Sequence, residues 1–153
     1  VRAMTSAQTT ALPDFDLERY LPYRFVVLAA RLSSKLARQY KREFGISIPE
    51  WRVLLNVGYT KDLSVRDIEQ RVSLERSKVS RAATKLEAKG YLAKQVDPRD
   101  KRLLKLTLTP EGTALLSKLI PIADTFQAEL NQILGEDTEA LQLALDRLMA
   151  ETD

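Results

Sequence analysis

Apolar residues recur every three or four positions through most of this chain, and in one short stretch they alternate instead. Phe25, Leu28, Leu32, Leu36 and Tyr40 share one face of a helix predicted over 16–44, the spacing of an element that buries a single stripe. Pro22 falls in its first turns, where a missing backbone donor is tolerated, and Gly45 suits the position just past its end. After a short extended link at 46–48, a second helix over 49–59 turns Trp51, Leu54, Leu55 and Gly58 inward. Ser64 with Asp67 three residues later marks the cap of a third helix whose apolar side is Val65, Ile68 and Val72. A fourth, predicted over 75–89, places Val79, Ala82, Ala83 and Leu86 inward, leaves Arg76, Ser77, Ser80, Arg81 and Lys85 outward, and stops at Gly90. The period then switches to two. The runs 91–96 and 103–108 read as strands joined by the polar, basic tip DPRDKR. Thr109-Pro110-Glu111-Gly112 starts a fifth helix with Leu115, Leu119, Ile122, Phe126, Leu130 and Ile133 as its stripe. Pro121 lies well inside that helix and predicts a bend. Gly135 ends it, and a sixth helix over 138–151 carries Leu141, Leu145 and Leu148.

The order helix, turn, basic helix, basic hairpin predicts a winged helix-turn-helix over 48–109, a shape suited to lie against a nucleic-acid duplex. The fold class is therefore mainly α with a small β-wing, four helices before the hairpin and two after it. The segments 16–47 and 110–153 flank the wing unit as long helices, and the Thr-, Ala- and Ser-rich segment 1–15 reads as a flexible tail. The flanking stripes have to be covered, either by each other or by the same helices of a second copy. The second solution is a twofold dimer with two reading heads, which matches a palindromic duplex site.

Charge sharpens this picture. Residues 75–105 hold ten basic and four acidic side chains, a net +6, whereas the whole chain is only +3, so the remainder carries −3. Localised positive charge concentrates a polyanion, and counterion release from phosphates drives its binding. Composition also excludes chemistry. With no His and no Cys, neither a Ser-His nor a Cys-His nucleophile can be assembled, a transition-metal site lacks its usual ligands, and no thiol switch exists. The five glycines are too scattered for a phosphate loop. No enzyme, no metal and no cofactor are expected. No run approaches the roughly 20 apolar residues that span a bilayer, so no membrane partner is expected. The first fourteen residues lack the apolar core of a signal peptide, and a cytoplasmic location is the expectation.

The segments IPEWRVLLNV, LERSKVSRAATKLEAKGYLAK and DPRDKRLLKLTLTPEG, with the helix order around them, resemble the multiple-antibiotic-resistance regulator (MarR) family over about residues 16–150. That resemblance implies a homodimeric transcription regulator, usually a repressor. It would bind a pseudo-palindromic operator in double-stranded DNA and be released by a small organic effector, often aromatic and anionic. It also implies that the fourth helix is the recognition helix, with Arg76, Ser77, Lys78, Ser80 and Arg81 at the major groove. Arginine can read guanine edges bidentately, whereas Ser and Lys more often hold phosphates. The wing motif matches as Asp97, Arg99 and Arg102, with Arg99 in the minor groove and Lys101 beside it at the tip. Asp97 and Arg102 are expected to brace the wing by pairing with each other or with neighbouring backbone. Subfamilies that sense peroxide through Cys, or zinc and copper through His or Cys, are disfavoured by the absence of both residues.

In the family, effectors sit between the dimerisation helices and the winged helix, a region expected here to be walled by Tyr20, Tyr23, Arg24, Arg31 and Trp51. Arginine beside aromatic rings suits a carboxylate or phenolate. The competing expectation is that Trp51 and Tyr23 are core, and that Arg24 and Arg31 are solvated or paired with acids such as Glu50. A winged helix that meets a protein partner, or that binds only small molecules without DNA, is the alternative function.

Overall fold

Tyr20 and Ser47 set where the first two helices begin. The computed structural model describes residues 11–60, 65–71, 76–102 and 104–152. The tail expected over 1–15 lies outside the described residues as far as residue 10, as do Ser64 and Val72. Tyr20 is extended (φ −72°, ψ 113°), and Pro22 follows in the first turn of α1, Leu21–Phe44. The helix expected from residue 16 is therefore shorter. Its first residues form a separate 3-10 turn, Leu17–Arg19, because a proline fits only the first turn of a regular helix. Gly45 closes α1 in the left-handed region (φ 64°), where its N–H reaches the Lys41 carbonyl at 3.0 Å. Ser47 then caps α2, Ile48–Tyr59, in a reciprocal box with Glu50. The Glu50 N–H donates to Ser47 Oγ at 3.3 Å, and the Ser47 N–H donates to Glu50 Oε1 at 3.4 Å.

α3, Val65–Arg71, and α4, Arg76–Ala88, follow. The antiparallel hairpin of β1, Leu92–Val96, and β2, Leu104–Leu108, pairs Leu92 with Leu108 and Lys94 with Leu106. α5, Pro110–Leu134, and α6, Thr138–Glu151, complete the chain, joined by a 3-10 turn at Gly135–Asp137. Pro121 lies inside α5 without ending it.

The core is built where the hairpin, α2, α4 and the first half of α5 meet. Val53 and Leu54 of α2, Val79, Ala83 and Leu86 of α4, Leu92 and Leu106 of the hairpin, and Leu115, Leu116 and Leu119 of α5 are buried together. Tyr40 of α1 and Trp51 of α2 join them, their rings 4.6 Å apart. One glycine is needed for this closure. The Thr109 hydroxyl accepts from the Gly112 N–H at 3.0 Å and the Thr109 N–H donates to the Tyr91 carbonyl at 3.1 Å. A Cβ on Gly112 would run into that same carbonyl. The base of the wing is thus pinned to the start of α5.

Burial thins out away from this body. Leu21, Tyr23, Phe25, Val26 and Leu28 of α1 are exposed, as are Ile133 of α5 and Leu141, Leu143, Leu148 and Met149 of α6. α6 has no buried residue. The predicted stripes therefore exist, but in this single chain only their inner ends are covered.

Candidate nucleic-acid interface

α4 shows how the sequence divides a short helix into faces. Val79, Ala82, Ala83 and Leu86 are buried as their spacing predicts, and Ser77, Lys78, Ser80, Arg81, Thr84 and Lys85 are exposed. Ser77, Ser80 and Thr84 form one stripe, with the Thr84 hydroxyl donating back to the Ser80 carbonyl at 2.9 Å. Lys78, Arg81 and Lys85 form the next stripe. Arg76 begins the helix, and its side chain lies outside the described residues.

Two lysines fasten this helix to its surroundings. Lys94 points from β1 toward α4, where its Nζ donates to the Thr84 hydroxyl at 3.2 Å and lies 4.0 Å from Glu87. Lys89, just past α4, donates to Glu50 Oε2 at 2.9 Å and to the Gly45 carbonyl at 3.3 Å. Glu50 is only 4 % exposed, and burying a carboxylate without such partners is costly. Glu50 thus pairs with Lys89, not with Arg24 or Arg31. Sequence reading missed Lys94 and the Glu50–Lys89 pair. The pattern Ser-x-x-Glu at 47–50 was the available signal for half of it.

The wing tip corrects one expected pairing. Asp97 is buried, and its Oδ1 accepts from the Arg99 N–H at 2.8 Å with Arg99 Nε 3.6 Å away. Arg102 pairs with Asp100 rather than Asp97. Its Nε donates to Asp100 Oδ1 at 3.1 Å, its Nη2 to Oδ2 at 3.3 Å, and its N–H also reaches Oδ1 at 3.1 Å. The tip is thus two successive turns in which an aspartate captures the backbone two residues on, a geometry favoured for this residue type. The Arg102 side-chain and backbone donors beside Asp100, assisted by the charge of Arg66, hold its carboxyl below the ordinary aspartate range. The brace at Asp97 is the neighbouring backbone. Arg99 and Arg102 keep side-chain exposures of 70 % and 88 %, so both remain available to a partner.

These pairings occupy four acids around α4 and the wing. Glu50, Glu87, Asp97 and Asp100 are each taken by a cation outside the exposed face of α4. Lys78, Arg81, Lys85 and Lys101 have no ion-pair partner among the described residues. The result is a positively charged helix face beside a positively charged, turn-stiffened wing.

The expected effector region is only partly assembled. Tyr23, Arg24 and Arg31 line a cavity of about 540 Å³ with Phe25, Leu28 and Leu141, between α1 and α6. Neither arginine has an ion-pair partner among the described residues. Trp51 is not part of it, because its ring is buried against Tyr40 in the wing-unit core. Tyr20 is also absent from the lining and packs edge-on to Phe15 at 5.1 Å. Among the described residues no helix is long and apolar enough to cross a membrane, and no cluster of acidic side chains could hold a metal ion.

Comparison with known proteins agrees with this geometry. A model of the MarR family matches residues 44–103. The chain is 28 % identical over 130 residues to the HTH-type transcriptional regulator SarZ of Staphylococcus saprophyticus, covering 85 % of this chain and 86 % of that one. It is 30 % identical to a MarR/EmrR family transcriptional regulator from Acinetobacter sp. ADP1, with a TM-score of 0.72 over 91 % of this chain and 99 % of that one. The PcaV transcriptional regulator of Streptomyces coelicolor, solved in complex with its natural ligand, is 25 % identical with a TM-score of 0.69 over 92 % and 98 % of the two chains.

Proposed function

The chain belongs to the MarR family of helix-turn-helix transcription regulators, and from that premise we propose that it acts as a homodimeric repressor released from its operator by a small aromatic anion. In this reading α4 enters the major groove, where Arg81 reads base edges, Arg76 and Ser77 contribute at the helix start, and Lys78 and Ser80 hold phosphates. Arg99 enters the flanking minor groove with Lys101 beside it, and narrow A·T-rich DNA favours a guanidinium there. Asp97 and Asp100 keep that tip rigid.

One observation carries this reading. Glu50, Glu87, Asp97 and Asp100 are each paired with a cation outside the exposed face of α4, while Lys78, Arg81, Lys85 and Lys101 have no such partner among the described residues. A merely solvated, salt-bridged helix would pair its own cations. The exposed apolar side chains of α1 and α6 support dimerisation, since large contiguous apolar patches mark contact surfaces. Arg24 and Arg31, beside Tyr23 in the α1–α6 cavity, supply charge and aromatic contact for an anionic ring.

The experiment is a salt series of binding to duplex DNA from the gene's own upstream region and to a random duplex. The expected result is a linear fall of log affinity with log salt concentration for both, with the upstream duplex bound more tightly. Binding that ignores salt, or that fails to distinguish the duplexes, overturns the reading. Light scattering at micromolar concentration should return the dimer mass, and a monomer mass removes the palindromic site.

A further inference from the structure

Beside the recognition helix runs a cleft of about 270 Å³ that the reading above touches only at Lys78 and Arg81. One wall is the cationic stripe of α4, Lys78, Arg81 and Lys85, and the other is the start of α2, from Ser47 to Glu50. The three cations stand three and four residues apart, so they lie along one edge of the helix. Lys78 and Lys85 stand at the border with the buried side, at Val79, Ala82 and Leu86, whereas Arg81 leans toward the outward face of Ser77 and Thr84, from which, in the reading above, it reaches the bases. A helix seated in the major groove turns its outward face to the bases. Its edges meet the groove walls, which are phosphates.

An anion is already present in this cleft, which makes its charge balance informative. Glu50 lines it, and alone would hold one of the three cations. Both of its oxygens are occupied from elsewhere. Oε1 accepts from the Ser47 hydroxyl at 2.9 Å, and Oε2 accepts from Lys89 Nζ at 2.9 Å. Lys89 is not part of the cleft lining and reaches Glu50 from past the end of α4, anchored also on the Gly45 carbonyl. The buried carboxylate is thereby paired with a cation from outside the cleft.

We infer that this cleft seats a backbone phosphate of the bound duplex, with Lys85 as its principal ligand, and that Lys89 is a positioning residue that masks Glu50 so the cleft stays positive. The inference rests on the reading of α4 as the helix in the major groove. It predicts two separable effects. Lys85→Gln removes one phosphate contact and leaves an exposed position otherwise intact. Lys89→Met unmasks Glu50, which then draws a cleft cation away from DNA. The double variant Glu50→Gln/Lys89→Met removes mask and masked charge together.

The test measures binding of the full chain to the upstream and random duplexes across a salt series, with thermal unfolding of each variant alongside. Lys41→Met, at an exposed position in the last turn of α1 that does not line the cleft, controls for loss of one charge. Lys85→Gln should weaken both duplexes alike and lower the salt slope by about 0.9 per subunit, because a phosphate contact carries no sequence information. Lys89→Met should weaken binding by about tenfold, well beyond Lys41→Met, and the double variant should return to within about threefold of the parent. An unchanged slope for Lys85→Gln, while the parent still binds with strong salt dependence, overturns the phosphate seat and leaves the proposed function standing. A folded double variant that binds as poorly as Lys89→Met overturns the masking role and makes the pair a structural lock. Equal losses for Lys89→Met and Lys41→Met overturn it in favour of net charge alone. A parent that binds neither duplex overturns the reading of α4 and this inference with it.

Discussion

Tyr40 offers a perturbation whose sign differs from the usual outcome of core mutagenesis. Its side chain is fully buried, its ring lies 4.6 Å from Trp51, and its hydroxyl has no hydrogen-bond partner among the described residues. A buried hydroxyl without a partner costs roughly 1–3 kcal/mol, whereas removing it and keeping the ring preserves the packing. Tyr40→Phe should therefore stabilise the fold by about 1 kcal/mol, which for a chain of this size is a rise of about 2–4 °C in Tm.

The same burial makes the effect depend on pH. Desolvation pushes the Tyr40 phenol from 10.0 up to about 12. Above pH 10 the unfolded chain loses this proton while the native state keeps it. The unfolded state then binds fewer protons, and stability falls as pH rises. The loss accumulates between pH 10 and 12 and reaches at most about 2–3 kcal/mol. A phenylalanine ring has no proton to lose, so the advantage of Tyr40→Phe should widen through that window. Urea unfolding followed by fluorescence is the assay, since the single tryptophan, Trp51, sits against this ring. Protomer concentration is held constant, because association would shift apparent stability. A variant less stable than the parent at neutral pH, or parallel losses above pH 10, would show that the hydroxyl is satisfied and refute the reasoning.

Arg81→Ala should weaken binding to the upstream duplex by about 1–3 kcal/mol more than to random DNA if it reads a base; equal losses in a filter-binding comparison would make it a phosphate contact. Asp97→Ala should weaken operator binding although it removes a negative charge, because the Arg99 backbone loses its acceptor; tighter binding would mean that the wing acts only through net charge. Gly112→Ala should destabilise by about 1–3 kcal/mol, since its Cβ would meet the Tyr91 backbone carbonyl rather than a yielding side chain; an unchanged Tm would contradict the pinned wing base.

The elements that sequence reading located best are those with punctuation at both ends. Thr109-Pro110 and Gly135 bound α5, and the following apolar spacing bounds α6, as observed. The buried face of α4 followed from its period alone, and the wing strands from alternation. The start of α1 did not follow, because the apolar pattern continues through residues that Tyr20 and Pro22 hold out of the helix. At the site, exposure of Ser77, Lys78, Ser80 and Arg81 was legible. Partner choice was not. Arg102 has an acid two residues before it and another five before it, and only the turn geometry decides for Asp100. Glu50 could be read as a cap, but Lys89 lies 39 residues away in sequence. Trp51 reads in sequence either as a ligand wall, because an aromatic among arginines suits an anion, or as core, and the ring of Tyr40 on another helix decides for core.

The distribution of burial explains why the two halves of the chain should be read differently. The first half of α5 gives Gly112, Leu115, Leu116 and Leu119 to the core, whereas Ile133 near its end is 80 % exposed. α1 runs the other way, exposed at Leu21 to Leu28 and buried at Tyr40. Both helices therefore enter the wing unit at one end and leave it at the other, carrying large apolar side chains into water. Fully covering one such side chain stabilises by roughly 1.5–3 kcal/mol, so the outer ends hold a driving force for association that the wing unit lacks. Under the proposed dimer those ends set the distance between two recognition helices. The cavity holding Tyr23, Arg24 and Arg31 lies among them. An anion bound there contacts no part of the DNA surface. Under the proposed function it would act on the operator through the spacing of the two heads, and spacing is what a palindromic site reads.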